Sequence, residues 1–440
     1  MTNTALRCRL CERTQPLTPR SICPTCNGPL DVEYGLERLN LRTDCEGAPQ
    51  SMWRYAELLP HVPADISTPG LTPLVEAPRL SQALGVHLML KLEDANPTHS
   101  FKDRIAASAI ASAQAFGLET LCCSSTGNLG EAVAARCASV GLESVLLCPA
   151  GDPPAVATAS YGAKILRVAG TFDDCRVLER RLEELFPWGF VEGNLHALAS
   201  EGAKTIAYEI AEQLGWQLPD AVISPAASGT LFAKLAQGFD ELNALGAATG
   251  TRPRLYGAQA GGCPPLATAW ADDRPLSKVL PDTEVRSLAI GDPAYGELAV
   301  GAARMSGGAI NAVPEEEIAE STTFFAQMTG VHADSAGGVA FGALLELVRR
   351  GDIHPGERVV LVVTGTGLKP YGYDVDYLPQ EVTSDVDEVL AVLGVSEPAD
   401  ATASAGTSQD WPKSVIASRM GTRSRPLSVS SYSTRGGDSG

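Results

Sequence analysis

Between residues 85 and 363, strand-like and helix-like runs alternate, and this alternation leaves the chain few architectures. The first series has strands at Val86–Leu92, Leu121–Ser124, Ser144–Cys148 and Ile165–Val168. Between and after them come helices at Arg104–Phe116, Leu129–Val140, Pro153–Tyr161 and Cys175–Leu185. A second series opens with a helix at Glu201–Leu214, then a strand at Ala221–Ser224 and a helix at Thr230–Leu242. A strand at Leu255–Ala258 and a helix at Pro264–Ala271 follow. Helices at Glu297–Met305, Glu315–Met328 and Ser335–Arg349 precede a closing strand, Val359–Val363. Such a pattern implies parallel sheets with helices on both faces. Two blocks predict two three-layer α/β domains with a ligand site between them. We expect a larger domain from 35–85 and 193–376, and a smaller one from 86–192.

The flanks read differently. Residues 1–34 form a separate zinc-ribbon-like unit in this reading. Cys8-x-x-Cys11 and Cys23-x-x-Cys26 offer four thiolates, the ligand set of a structural zinc site with no position left for water. Residues 377–440 are expected to be a mostly disordered tail, poor in residues to bury, with a short helix near Asp385–Leu393.

A hydrophobic content of 44% with 20% charged residues is that of a soluble globular protein. The net charge of −18 argues against nucleic acid and against an anionic membrane surface as partners. No apolar run reaches about 18 residues, and Met1–Arg9 lacks an apolar secretory core. Several of the 11 cysteines, including Cys122, Cys123 and Cys148, sit in apolar runs, as buried thiols do in a reducing compartment. The expected location is cytoplasmic.

Four loops at strand ends carry the chemistry. The first, Asn96-Pro97-Thr98-His99-Ser100-Phe101-Lys102-Asp103-Arg104, places a lysine between a strand and a helix. A desolvated amine there can form a Schiff base with a carbonyl. The second, Ser124-Ser125-Thr126-Gly127-Asn128, joins hydroxyls and amides at a helix amino end, which suits a carboxylate. The third, Ala226-Ala227-Ser228-Gly229-Thr230, has small residues that let backbone amides approach a phosphate. It is not a Walker A loop, and no G-x-G-x-x-G follows a strand. The fourth, Thr364-Gly365-Thr366-Gly367-Leu368-Lys369, ends the last core strand. A hydroxyl there can face a pyridine nitrogen. Together the loops match the imine, phenolic oxygen, phosphate and ring nitrogen of pyridoxal 5'-phosphate.

These motifs resemble those of the threonine synthase family, fold-type II enzymes of the tryptophan synthase β-like class. The lysine motif, Ser125-Thr126-Gly127-Asn128 and Thr364-Gly365-x-Gly367-Leu368-Lys369 carry the resemblance. Gly257-Ala258-Gln259-Ala260, Ser287–Pro293 and the cysteine pairs also look like family segments. The resemblance spans about residues 8–375. It implies that Lys102 holds the cofactor as a Schiff base and serves as the catalytic base. It further implies that Asn128 contacts the phenolic oxygen, that Ala227, Ser228, Gly229 and Thr230 cradle the phosphate, and that Thr364 faces the ring nitrogen. Ser125, Thr126 and Gly127 would hold the substrate carboxylate, with Ser100 and His99 also beside the substrate. The implied activity is that of a lyase turning O-phospho-L-homoserine and water into L-threonine and phosphate. The fold class implies a homodimer.

Two departures bear on the substrate. His99 stands where the family motif suggests a small or aliphatic residue. Asp334-Ser335 stand in place of a family Glu-Thr. Two other readings stay open at this point. One is a different β-replacement or dehydratase enzyme, cysteate synthase-like or threonine dehydratase-like. The other is an inactive scaffold of the same fold.

Overall fold

The structure, a computed structural model, describes residues 4–39, 41, 47–65, 67–125, 127–152, 157–369 and 380–394. The chain starts with a small antiparallel sheet of β1 (Thr4–Cys8), β2 (Thr14–Gln15) and β3 (Leu30–Tyr34), ordered β2-β1-β3. Next come β4 (Leu74–Glu76), α1 (Pro78–Leu84), β5 (His87–Leu92) and α2 (Lys102–Phe116). A run of parallel strands follows: β6 (Thr120–Ser124), β7 (Glu143–Pro149), β8 (Lys164–Val168) and β9 (Gly189–Phe190). Between them lie α3 (Asn128–Val140), α4 (Ala157–Ser160) and α5 (Phe172–Leu185). The short α6 (His196–Ala199) leads into α7 (Glu201–Gln213).

The chain then returns through β10 (Ala221–Pro225), α8 (Thr230–Ala244), β11 (Arg254–Ala260), α9 (Pro265–Ala271) and α10 (Gly296–Met305). After β12 (Ala309–Val313) come α11 (Glu315–Thr329), α12 (Ser335–Arg350) and β13 (Arg358–Val363), and finally β14 (Gln380–Val382) and α13 (Val386–Leu393). Six strands form one sheet in the order β12-β11-β10-β13-β5-β4, parallel except for β4. Five form a parallel sheet in the order β14-β8-β7-β6-β9. The central strands β10, β13 and β6 are apolar and buried, as strands covered on both faces must be.

Three expectations are corrected. The strand at 87–92, expected to open the smaller domain, belongs to the larger sheet, where Leu90 pairs with Leu361. Local alternation does not reveal which sheet a strand joins. The amino-terminal unit is not separate in packing: Leu6, Leu30, Val32 and Tyr34 share one apolar cluster with Ile105, Ile206 and Phe232. Part of the segment expected as tail packs on the fold, and α13 falls where a short helix was expected. β14 pairs in parallel with β8, and Val382, Val389 and Leu390 are buried against the apolar residues of α5. Residues 395–440, expected to be disordered, lie outside the described residues, as do 153–156 of the expected helix Pro153–Tyr161. β12 and β4 carry no strand signal in the sequence; both are short and lie at sheet edges.

Candidate functional site

The loop after β5 explains its own sequence. The Asn96 side-chain oxygen accepts from Gly70 N at 3.0 Å, and its amide donates to Glu93 O at 2.9 Å. Thr98 donates through both its backbone N (2.9 Å) and Oγ1 (2.8 Å) to Asp103 Oδ2. Arg104 is fully buried and paired with Glu93 and Glu209, and Lys91 joins Glu209 at 2.7 Å. Burial alone would raise the Glu209 pKa; Arg104 and Lys91 instead hold it at about 2. Polar residues on both sides of position 102 are thus consumed by structure. Lys102 is not: among the described residues its Nζ has no hydrogen-bond or ion-pair partner and lies 4.8 Å from the centre of the Phe101 ring. Desolvation pushes its pKa down, partly offset by Glu192 and Cys123.

This loop is stitched to two others at the carboxyl ends of the strands. Phe101 N donates to Thr364 O at 3.0 Å, and Thr366 N to His99 O at 3.2 Å. Asp334 N donates to Gly365 O at 3.0 Å, and Gly367 N to His332 O at 2.9 Å. Thr364 is buried, and its hydroxyl has no partner among the described residues. A Cβ on Gly365 would lie 2.9 Å from Asp334 Oδ2 and 3.3 Å from Asn128 Nδ2, so only glycine lets these side chains close on the loop. Asn128 opens α3, and Lys369 Nζ donates to its Oδ1 at 2.8 Å while also pairing with Glu131. That tie between the two sheets' loops is not evident from spacing.

The Ser125 hydroxyl accepts from Gly127 N at 3.3 Å and Gly130 N at 3.0 Å, so it closes the start of α3 and keeps its own proton to donate. Thr126 lies outside the described residues. Ser100 is buried, and its Oγ has no partner among the described residues. His99 is exposed, with its Nδ1 3.0 Å from Asp94 O and its backbone at φ 60°. Ser335 is exposed.

Two observations test whether pyridoxal phosphate fits here. The backbone N–H groups of Ala227, Ser228 and Gly229 have no acceptor among the described residues, and they sit at the amino end of α8 beside the Ser228 and Thr230 hydroxyls. Gly229 has φ 82°, and a Cβ there would stand 2.7 Å from Tyr295 O. Free amides at a helix amino end, made possible by glycine, suit a phosphate. An unpartnered, desolvated amine at Lys102 suits a carbonyl. The residues fit the cofactor.

Several charged groups near the site escape sequence reasoning. Glu179 accepts from Ser124 Oγ and N, and burial, aided by Glu192, raises its pKa to about 7. His196 packs against the Tyr295 ring, with centroids 5.0 Å apart, and burial and neighbouring cations push it down to about 3. Asp334 caps α12 through Gly337 N at 2.9 Å, and desolvation raises it to about 6. Only Asp334 stood in a quoted motif.

At the amino end, the sulfurs of Cys8, Cys11, Cys23 and Cys26 all lie within 4.8 Å of one another, with Cys8–Cys26 at 3.4 Å and Cys11–Cys23 at 3.8 Å. Tetrahedral Zn–S bonds of about 2.3 Å set sulfurs about 3.8 Å apart, so the four thiols fit the ion. The ten described cysteines are all free.

Comparison with known proteins agrees with this geometry. The model of the pyridoxal-phosphate dependent enzymes matches residues 67–365. The threonine synthase of Methanosarcina acetivorans is 33% identical over 389 residues, covering 84% of this chain and 94% of its own. That of Halalkalibacterium halodurans is 34% identical over 360 residues, covering 79% and 97%. Among solved structures, a fungal L-serine ammonia-lyase from Rhizomucor miehei superimposes with a TM-score of 0.59 at 20% identity, covering 68% of this chain and 95% of its own, a likeness of fold. A free lysine, an amide cradle and kinship over most of the sequence converge on one conclusion: the chain belongs to the threonine synthase family of pyridoxal-phosphate dependent enzymes.

Proposed function

We propose that this protein converts O-phospho-L-homoserine and water to L-threonine and inorganic phosphate. The observation that carries the reading is Lys102 Nζ, which has no protein partner among the described residues and stands on a loop bonded to the one that carries Thr364. Bound pyridoxal phosphate would supply an electron sink for negative charge at the substrate's α carbon. Lys102 would hold the cofactor covalently through its carbonyl carbon. The amides at 227–229 and the Thr230 hydroxyl would hold its phosphate, Asn128 its phenolic oxygen, and the Thr364 hydroxyl its ring nitrogen.

Lys102 is also the base. Desolvation lowers its pKa, so more of the free amine is available near neutral pH. Once the substrate's amine has displaced it from the cofactor, Lys102 would take the α proton, hand it on, and then take a β proton. Phosphate leaves from the γ carbon, which gains a proton. Water then adds at the β carbon, and Lys102 returns a proton to the α carbon. Ser125, Thr126 and Gly127 would hold the substrate carboxylate, with Ser100 and His99 on the substrate side.

The same reading includes a structural zinc at the four cysteines, a homodimer and a cytoplasmic location. None of the described helices is long and apolar enough to cross a membrane. The test is direct: the holoenzyme with O-phospho-L-homoserine should release phosphate and threonine in equal amounts. Lys102→Ala should lose turnover together with the visible absorption of the lysine–cofactor Schiff base. Deamination of L-threonine or L-serine without threonine synthesis would make the protein a dehydratase instead.

A further inference from the structure

The cysteine site and the phosphate cradle are joined through side chains that the reaction does not use. Arg9 stands inside the Cys8-x-x-Cys11 turn. Its guanidinium is gripped by Asp31 of β3, with Nη2 2.6 Å from Oδ1 and Nε bonded to Oδ2. The same guanidinium lies over the Tyr295 ring, with Cζ 4.6 Å from its centre. Tyr295 N donates to Ser228 O at 2.9 Å, and Tyr295 O closes on Gly229. One residue therefore touches the ribbon on one side and the cradle backbone on the other. A second route runs in parallel: Tyr34 Oη of β3 donates to buried Glu201 at 2.8 Å, and Glu201 pairs with Lys234 of α8, the helix that opens with the cradle.

We propose that Arg9 is a positioning residue of the cofactor site. Metal at Cys8, Cys11, Cys23 and Cys26 fixes the turn that carries Arg9. Arg9 fixes Tyr295, and Tyr295 holds the amides at 227–229 in place for a phosphate. This rests on the cradle reading given above. Metal at one end then raises affinity for pyridoxal phosphate at the other, and linkage requires the cofactor to raise metal affinity by the same factor. A cation–π contact of this kind sets the expected effect at about three- to tenfold.

The experiment measures pyridoxal phosphate affinity from the Schiff-base absorption, and zinc affinity by chelator competition, on full-length protein whose fold is followed by circular dichroism. Arg9→Ala, Tyr295→Leu and zinc removal should each weaken cofactor binding about three- to tenfold. The double variant should be no weaker than either single one, and zinc removal should cost less in Arg9→Ala than in the wild type. Zinc should bind more tightly to holoenzyme than to apoenzyme in the wild type, with a smaller difference in Arg9→Ala. Should Arg9→Ala fail to fold, Asp31→Asn, which releases the other side of the guanidinium, is expected to shift affinity in the same direction. Unchanged affinity in these variants, or a full effect of zinc removal in Arg9→Ala, overturns the proposal alone. A wild-type protein that forms no Schiff base removes both the cradle reading and this one.

Discussion

Lys369 Nζ donates to Asn128 Oδ1 at 2.8 Å, and so fixes which end of the Asn128 amide is free. With its oxygen engaged, Asn128 has Nδ2 left to donate, which is what the proposed contact to an anionic phenolic oxygen requires. The same ammonium pairs with Glu131, so one lysine after the last strand of the larger sheet orients a residue of the smaller one. Lys369→Met should leave the lysine–cofactor absorption in place and lower kcat/KM by about tenfold or more, the cost of a misdirected hydrogen bond. Stopped-time assays with and without saturating cofactor check this.

His99 holds a left-handed backbone at φ 60°, a conformation that asparagine tolerates and alanine does not. His99→Asn therefore removes the imidazole at little conformational cost. If the ring contacts the substrate phosphate, His99→Asn should raise KM about three- to tenfold with kcat kept, the pattern of a lost ground-state contact. His99→Ala should add a fall in thermal stability of about 1 kcal/mol. An unchanged KM in His99→Asn would remove the residue from the substrate side.

Arg104 is fully buried between Glu93 and Glu209. Arg104→Met leaves Glu93 without its cation and Glu209 with Lys91 alone. Breaking a buried pair in this way costs about 3–5 kcal/mol. Denaturant unfolding should show it, with the loss shared by cofactor affinity, since Arg104 lies two residues from Lys102.

Glu179 controls a pH dependence. In the folded protein it keeps its proton up to about pH 7, whereas in the unfolded chain it titrates near 4.5. Between those values the folded state binds more protons, so stability falls as pH rises through the window. Asp103 and Asp334, raised to about 6, act in the same direction, and His196, held at about 3, opposes these three with a smaller effect. Glu201 and Glu209, held at about 2, contribute stability above the ordinary carboxylate range that is lost only toward strong acid. Melting temperature should therefore fall from about pH 5 to about pH 7, and Glu179→Gln should flatten that slope.

The sequence revealed the lysine, the strand-end loops and most helices because each has a local signature: a periodic apolar run, a capping residue, a glycine at a turn. Lys102 stood out by motif, and the structure explains much of the motif by giving Asn96, Thr98 and Arg104 structural bonds. Tyr295 and Glu179 left no such mark, because their importance comes from a contact across the fold. Edge strand β4 is only three residues long and carries too little pattern to be read, whereas β12, as long as β6 and β10, lies between helical runs without an alternation of its own. The strand at 87–92 was readable as a strand, but its neighbour, β13, lies more than 260 residues along the chain. Pairing partners at that distance are a property of the closed sheet.

The three loops around Lys102 do more than meet. Ser100 bridges Gly365, and Thr366 bridges Ala333, both antiparallel, so the lysine loop, the segment before α12 and the end of β13 form a miniature ribbon lying across the strand ends. Backbone amides within such a ribbon open together or not at all. Phe101, Asp334, Thr366 and Gly367 should therefore exchange their amide hydrogens at one common rate, and that rate would report how often these three segments come apart.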